Sequence, residues 1–295
     1  MRALTLGLLL FWPGAALAGA WAREAGETYL KGSLTYLESA ESFDGTGDAM
    51  PILGEGAAYA DGRYTEAGTS LYVEFGLSRR LTLIGSGTLK SARTEGQATA
   101  SGTDLSETTT GAGDLWLGAR WPLLTRRIVA SIQPEVKIPL SNPANRPLYS
   151  PSLGSGAVDA GAMLQLGGSI PRLRAYWTGG AGFRVRGGID PNETRWDLEA
   201  GADLGPRFQL RVRYDGVDSK QETLPPGVTM DPIRSANAGG QDYQRLQPTV
   251  AFRINPTVEA SLGVRRTLAG KNTLRDTQWE LGFSYQGPAR PDGSP

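Results

Sequence analysis

The chain contains neither cysteine nor histidine. Without cysteine it can form no disulfide, no thiolate metal site and no lipid anchor on an N-terminal cysteine. Without histidine, Ser-His-Asp hydrolysis and histidine-bound metals are excluded too. The carboxylates that remain show no pair that stands apart from the strand pattern described below. We therefore expect no enzymatic activity and no cofactor.

Long apolar runs are missing beyond residue 20, where no segment approaches the ~18 residues of a membrane-spanning helix. The first residues differ from the rest: Arg2 is followed by the apolar stretch Leu4–Trp12 and by small residues around Ala18 and Ala20. This pattern predicts a secretory signal peptide over residues 1–20, cleaved after Ala18 or Ala20. An exported chain of this kind is soluble in the periplasm, secreted, or a β-barrel.

Net charge and overall hydrophobicity are low as well. The formal net charge is zero, which gives no argument for nucleic-acid binding. The chain has 40 glycines and only 39% hydrophobic residues. A barrel has this composition, because only every second residue of a membrane-spanning strand must be apolar.

Apolar and polar residues alternate most clearly in 114–139. Leu115, Leu117 and Trp121 alternate with polar or small residues before a basic turn, and Ile128 and Ile132 do so after it. Successive strand residues point to opposite faces, so one face is apolar and the other polar. A soluble sandwich gives the same alternation with the apolar face turned inward. The length of the two arms and the aromatic Trp121 at a strand end favour a membrane-spanning hairpin.

The same unit recurs and predicts twelve strands. Besides the two arms of this hairpin, the predicted strands are 28–39, 68–76, 81–93, 157–170, 173–186, 194–204, 207–218, 244–253, 258–267 and 276–286. Their connections alternate strictly between short and long, and 94–112 is among the long loops. Short periplasmic turns and longer outer loops are typical of outer-membrane barrels. The fold class is therefore all-β: a transmembrane up-and-down antiparallel β-barrel over 21–286, with a flexible C-terminal tail at 287–295, located in the bacterial outer membrane.

Four short stretches resemble one outer-membrane barrel family. They are Trp21 with Gly26–Leu30, then Glu74–Leu83, then Gly111–Gly118, and finally Lys137–Pro139 with Gly154–Asp159. The family is named for the MetA pathway of phenol degradation, and its members are described as transporters. The resemblance implies a barrel fold and an association with uptake of aromatic compounds.

The alternation also predicts which charged residues face the barrel lumen. A charged arginine or lysine in the middle of the lipid face costs about 2–4 kcal/mol, so charges on the polar parity must face water. The predicted lumen-lining residues are Asp114, Arg120, Glu135, Lys137, Asp159, Arg174, Tyr176, Arg184, Arg186, Asp197, Glu199, Asp203, Arg211, Arg213, Asp215, Arg253, Glu259, Arg265 and Glu280.

Neighbouring strands would place opposite charges face to face. The tight turn at Gly205-Pro206 predicts Glu199 opposite Arg211 or Arg213. The turn at Pro171-Arg172 predicts Asp159 across from Arg184 or one of its inward neighbours. Such cross-strand pairs fix register more than they add stability.

Two smaller patterns complete the analysis. The outward parity carries aromatic residues expected at the membrane interfaces: Trp121, Trp177, Tyr214, Trp279, Phe283 and Tyr285. The acidic stretch Asp44–Glu55 faintly resembles a calcium loop, but Ala49 stands where that loop needs glycine, so a solvated acidic loop is the preferred interpretation.

Two functions are consistent with these patterns. The first is an outer-membrane channel or transporter for small molecules, with aromatic or hydrophobic compounds as candidate substrates. The second is a structural or adhesion-type barrel with a salt-bridged interior and no transport role. The expected partners are the lipid bilayer, lipopolysaccharide, the barrel-assembly machinery during biogenesis and a small-molecule solute.

Overall fold

The computed structural model describes residues 19–52, 59–141, 150–188, 191–219 and 240–288. Most of the predicted signal peptide, Glu55 of the calcium-like loop and the end of the predicted tail lie outside the described residues. Among the described residues, no helix is long and apolar enough to cross a membrane.

Twelve long antiparallel strands close into a barrel, as the sequence predicts. Numbering all strands in chain order, the barrel strands are β1 (Thr28–Ser39), β4 (Tyr59–Ser78), β5 (Leu81–Ala98), β7 (Leu115–Thr125), β8 (Ile128–Ile138), β9 (Asp159–Ile170), β10 (Ala175–Val185), β11 (Glu193–Leu204), β12 (Phe208–Ser219), β13 (Asp242–Arg253), β14 (Val258–Lys271) and β16 (Thr277–Gln286).

The first and last barrel strands complete the closure. Strand β1 pairs with β16 from Tyr29↔Gln286 to Glu38↔Thr277, and on its other side with β4. Each barrel strand therefore has a neighbour on both sides. Closure leaves no unpaired strand edge, which the hydrocarbon interior of a bilayer would not tolerate.

The outer face of the barrel is apolar. Large hydrophobic side chains on the outward parity are about half exposed, among them Leu34, Leu71, Leu164, Leu198 and Leu262. This orientation contradicts the soluble-sandwich alternative, which needs its apolar face inside. The aromatic residues predicted on this parity do point outward: Trp121, Trp177, Trp279, Phe283 and Tyr285 are exposed, and Tyr214 packs edge-on against Trp196 at 4.9 Å between ring centroids.

Four shorter strands lie at the extracellular end. Strands β2 (Glu41–Phe43), β3 (Ala49–Pro51) and β15 (Thr273–Leu274) form a small separate sheet. Strand β6 (Asp104–Ala112) pairs with the later part of β5, Leu89 to Gln97. Strand β7 pairs with the beginning of β5, Thr82 to Ser86. The predicted loop at 94–112 is therefore wrong over most of its length. This stretch is rich in threonine and serine and shows no apolar alternation, so the pattern gave no sign of a strand. β-branched threonine nevertheless favours one.

One predicted lumen residue, Arg174, lies outside the strands. Pro171–Leu173 forms a single 3₁₀ turn, and Arg174 ends it in the left-handed conformation with φ 50°. The residue is exposed in this periplasmic turn, so the prediction that strand β10 includes it is wrong. Proline at the start of the turn fixes its backbone and delays the strand to Ala175.

Candidate functional site in the barrel interior

The inner face of the barrel carries the charged residues. Apart from Arg174, each predicted lumen residue lies on the inner parity of its strand or, for Asp114 and Arg186, directly next to a strand end. Many of them line two cavities inside the barrel: Asp114, Arg120, Glu135, Lys137, Arg184, Arg186, Asp197, Glu199, Arg211, Arg213, Asp215, Arg265 and Glu280. Tyr176, Asp203, Arg253 and Glu259 lie nearer the periplasmic end of their strands.

A buried ionic cluster occupies the extracellular half of one wall. Lys137 on β8 lies 2.7 Å from Asp159 and 3.3 Å from Asp114. Asp159 is also 2.9 Å from Arg186, so it faces an inward neighbour of Arg184, as the turn at Pro171-Arg172 predicts. Glu193 joins the cluster from β11 by ion pairs with Arg184, at 2.8 Å, and Arg186. The cluster ties four consecutive strands together.

The opposite wall is ordered by further pairs. Arg211 pairs with Glu259, and Arg253 lies 2.7 Å from Asp203. Lys31 on β1 lies 2.5 Å from Glu280 on β16. These pairs join neighbouring or next-neighbouring strands and hold the periplasmic half of the wall in register.

Glu199 has the register that the sequence predicts but a different side-chain partner. Its Cα lies opposite Arg213, while its carboxylate accepts a hydrogen bond of 2.6 Å from the Tyr176 hydroxyl. Arg213 instead reaches Asp215 at 3.6 Å and Asp197 at 3.9 Å, and its side chain keeps 46% exposure. Arg213 is therefore the loosely held charge of this wall.

A segment before the first strand, residues 19–27, runs across the periplasmic end of the lumen; we call it the N-terminal segment. Gly26 donates a backbone hydrogen bond to Gly76 at 2.7 Å. Arg23 reaches Glu74 at 2.6 Å through its side chain and donates its backbone N–H to Thr82 at 2.8 Å. Glu74 is fully buried. The segment is thus attached to β4 and β5 by a desolvated ion pair.

The same carboxylate holds a second arginine. Arg120 on β7 lies 2.9 Å from Glu74 and also donates to the carbonyl of Trp21 at 2.9 Å. The side chain of Arg120 is 2% exposed. Burying two guanidinium groups is tolerable because Glu74 pairs with both, and Glu27 also lies 3.1 Å from Arg23.

The far end of the N-terminal segment reaches the opposite wall. The Trp21 ring packs edge-on against Tyr176 at 6.4 Å between centroids. A Cβ on Gly167 would meet the Trp21 ring at 2.7 Å, so the ring needs this glycine. Gly19 lies against Thr178 on β10. The segment therefore crosses the lumen from β4 to β10. Sequence reasoning missed this element; its only signal was a tryptophan and an arginine placed just before the first strand.

The extracellular end is covered by an apolar cluster. It consists of Leu37, Ile52, Tyr64, Ala92, Leu153 and Leu274, all at most 7% exposed. Ile52 and Leu153 come from connections rather than from barrel strands. Two outer connections therefore contribute to this cluster, which we call the cap.

Two cavities lie between this cap and the N-terminal segment. The one adjoining the N-terminal segment has a volume of about 490 Å³ and the one adjoining the cap about 340 Å³. Trp116, Val217 and Tyr243 line both. The Trp116 ring is flanked by the guanidinium groups of Arg184, at 4.5 Å, and Arg195, at 5.4 Å. Each volume falls within or near the usual range for small-molecule sites.

The calcium-like loop is held by its own hydrogen bonds. Asp44 Oδ1 accepts bonds from the Thr46 hydroxyl at 2.7 Å and from the backbone N–H groups of Thr46, Gly47 and Asp48 at 2.8–3.0 Å. These bonds, the Thr46 hydroxyl first, lower the pKa of Asp44. Within the described part of the chain, no group of three or more acidic residues could hold a metal ion.

The solved structure of the COG4313 outer membrane channel from Pseudomonas putida F1 matches this chain with a TM-score of 0.67. The match covers 91% of this chain and 98% of that one at 14% identity, so it supports the fold alone. The NanC porin matches with a TM-score of 0.48 at 9% identity, covering 85% of this chain and 98% of its own; this value is too low to carry an argument. No family model matches the chain, and no curated protein matches its sequence.

The closed twelve-stranded barrel, the apolar outer face and the charged interior define the class. The protein is a β-barrel of the bacterial outer membrane. Its fold is that of the outer-membrane channel from Pseudomonas putida F1. The MetA-pathway resemblance remains a prediction.

Proposed function

We propose that the protein is an outer-membrane channel or transporter for small molecules. The observation that carries this proposal is the pair of cavities stacked inside the barrel, about 490 and 340 Å³, lined by charged and aromatic side chains. A barrel that served only as a scaffold would have no need of such space between its two covered ends. The fold shared with a known outer-membrane channel is consistent with the proposal.

In this proposal the signal peptide predicted over residues 1–20 is cleaved after Ala18, so that Gly19 and Ala20 remain in the N-terminal segment. Lipopolysaccharide and the barrel-assembly machinery are the partners expected of any protein in this membrane. The substrates proposed here are small molecules with an aromatic or apolar part, because Trp116 and Tyr243 line both cavities.

The proposed path meets one element of the structure near each end. The N-terminal segment crosses the periplasmic end, and the apolar cap covers the extracellular end. Passage therefore requires displacement of the segment and of the cap, or solutes small enough to pass beside them. The segment rests on one buried ion-pair cluster and one ring contact.

A structural barrel with a filled interior is the second candidate. The observation in its favour is the ion pairing of the inner face, where most charged groups are already satisfied by a neighbour. An interior of this kind holds the wall in shape without any solute.

Liposome swelling separates the two candidates. Proteoliposomes would be challenged with a neutral aromatic solute, an aromatic anion and a sugar of similar size, with empty liposomes as the control. We expect swelling for the aromatic solutes above the empty-liposome rate. Swelling at the control rate for all three solutes, together with no conductance in planar bilayers, would favour the structural barrel.

A further inference from the structure

Two arginines of the inner face stand apart from the rest. Every other lysine or arginine that the described barrel strands point inward forms an ion pair with a carboxylate. Arg245 on β13 and Arg265 on β14 form none among the described residues. The Nε atom of Arg265 is buried and has no hydrogen-bond acceptor in this part of the chain.

The two side chains are neighbours on the same face. Arg245 pairs across the strands with Thr267, which places Arg265 on the diagonal of that pair. Diagonal neighbours in a sheet lie about 7–8 Å apart, within reach of long side chains. Both line the 340 Å³ cavity. Like charges so close together, half-buried and without a counterion, destabilise the wall unless an anion joins them.

The nearest carboxylate only partly compensates them. Asp276 also lines this cavity, but its Oδ1 accepts the hydroxyl of Thr267, and that hydroxyl in turn accepts a 3.3 Å hydrogen bond from Arg245. Asp276 thus meets Arg245 through a hydroxyl and forms no ion pair with Arg265. Asp215 and Glu280 also interact electrostatically with Arg265, but each forms an ion pair with another cation, Arg213 and Lys31. The two guanidinium groups therefore keep a net positive charge.

Arg245 is also held in position. Its guanidinium carbon lies 3.7 Å from the centre of the Tyr243 ring. Stacking and the Thr267 bond fix the side chain before any ligand arrives, which reduces the entropy lost on binding. A planar guanidinium matches a carboxylate by two parallel hydrogen bonds. Leu37, Val217 and Leu274 line the same cavity and offer apolar contact next to this charge.

We propose that Arg245 and Arg265 bind the carboxylate of a small organic acid, whose apolar or aromatic body occupies the rest of the cavity. The inference rests on the proposed channel function and narrows its substrate class to carboxylates with an apolar body. The volume of about 340 Å³ fits a single-ring acid.

The test measures binding to the full-length protein in detergent, so that it does not depend on transport. The probes are benzoate, benzyl alcohol as its neutral counterpart, and acetate as the charge without the ring, each titrated by calorimetry at neutral pH. We expect benzoate to bind more tightly than either. The double variant Arg245→Gln/Arg265→Gln removes the charge-assisted hydrogen bonds to the carboxylate. We expect its affinity for benzoate to fall roughly ten- to hundredfold.

Three variants sharpen this result. Arg213→Gln removes the same charge from the same lumen at a residue that lines the other cavity and contacts Asp215 and Asp197, so benzoate affinity should change little. Asp276→Asn removes the competing carboxylate, so benzoate should bind more tightly. If the double variant fails to fold, Arg265→Lys keeps the charge but loses the planar fork, and a several-fold loss is expected.

Equal affinity for benzoate and benzyl alcohol would overturn the inference, as would equal losses in Arg213→Gln and the Arg245/Arg265 variants. Tight binding of acetate alone would contradict the role of the apolar body. Failure of the channel function would look different: benzoate would still bind in detergent, while liposomes carrying the protein would swell no faster than empty ones.

Discussion

The two ends of the lumen use arginine in opposite ways. At the periplasmic end, Arg23 and Arg120 share one fully buried carboxylate, Glu74, with N–O distances of 2.6 and 2.9 Å. In the 340 Å³ cavity next to the cap, neither Arg245 nor Arg265 forms an ion pair with a described residue. At the periplasmic end the arginines are neutralised by a carboxylate of the protein and hold the N-terminal segment in place. In the other region the arginines lack such a partner and can attract an anion. The location of the carboxylate makes the difference.

The largest expected effect follows from removing the carboxylate at the closed end. Glu74→Ala leaves Arg120 without a carboxylate and leaves Arg23 with Glu27 alone, at 3.1 Å. Removal of one partner of a buried pair costs about 3–5 kcal/mol. The N-terminal segment can escape this penalty by leaving the lumen. We expect single-channel conductance in planar bilayers to rise several-fold.

Glu280→Ala is the matched control for this variant. It removes a lumen carboxylate whose partner Lys31 keeps 29% exposure, and such pairs are worth about 0–1 kcal/mol. Its conductance should stay close to that of the parent. Equal conductance in the parent and Glu74→Ala, with both barrels folded by heat-modifiable gel mobility, would show that this ion pair does not hold the segment.

A second way to open the closed end leaves all charges unchanged. Gly167→Ala places a methyl group 2.7 Å from the Trp21 ring, closer than real contacts allow. Because the ring must move and β9 is part of the wall, we expect Trp21 to shift and conductance to increase, by less than in Glu74→Ala. Fluorescence of Trp21, in a variant whose other tryptophans are replaced by phenylalanine, would report the shift.

Gly32→Ala is the control that tests whether replacing a strand glycine by alanine is enough to change conductance. A Cβ at Gly32 meets no atom within 4 Å. We expect parental conductance and unchanged fluorescence. An equal increase in both glycine variants would assign the effect to the strands rather than to the segment.

A smaller effect is expected at Glu199, midway between the two regions. Glu199→Gln keeps an acceptor for the Tyr176 hydroxyl and removes one negative charge next to Arg213. The reversal potential in a salt gradient should move toward anion selectivity while the barrel still assembles. An unchanged reversal potential would contradict a position of Glu199 on the ion path, and a loss of folding would support a structural role.

The smallest effect is expected outside both regions, at Asp44. Its pKa in the folded protein is lowered by hydrogen bonds from Thr46 and nearby backbone groups. A lowered folded-state pKa means that the carboxylate stabilises the turn above its ordinary pKa, and that this contribution is lost as pH falls through the folded pKa. In the parent, the turn should loosen as pH falls, and the amide of Gly47 should then be less protected from exchange. In Asp44→Asn this dependence of protection on pH should disappear. Conductance at neutral pH should not change.

Much of the barrel follows from alternation in the sequence. Leu115, Leu117 and Trp121 on one parity and Arg120 on the other specify which face meets lipid, because the side-chain period of a strand is two. The tight turns narrow the register as well. The sequence predicts Glu199 opposite Arg211 or Arg213, and Asp159 across from Arg184 or one of its inward neighbours. The structure has Arg213 and Arg186 at these positions. Strand extensions such as β6 do not follow, since both their faces are polar.

The contacts across the lumen could not be predicted in this way. Glu74, Arg120 and Arg23 lie on two strands that are not neighbours and on a segment that belongs to no strand. Local pattern contains no information about which inner residues meet across an open space. Side-chain partners between neighbouring strands can differ from the prediction too: Glu199 accepts the hydroxyl of Tyr176 on β10, although the sequence suggests an arginine partner. The predicted set of inner residues therefore omitted Trp21, Arg23 and Glu74, which close one end.

The docking site of the N-terminal segment also sets an order of events during biogenesis. With the signal peptide proposed above, the segment leads the mature chain out of the inner membrane. Its partners Glu74, Arg120 and Tyr176 are supplied by β4, β7 and β10. These strands lie on opposite walls, and the surface they share exists only after sheet pairing has curved them around a common axis. The first part of the protein to arrive is therefore the last to find its place, and its protection from an added protease would mark the moment at which the barrel is complete.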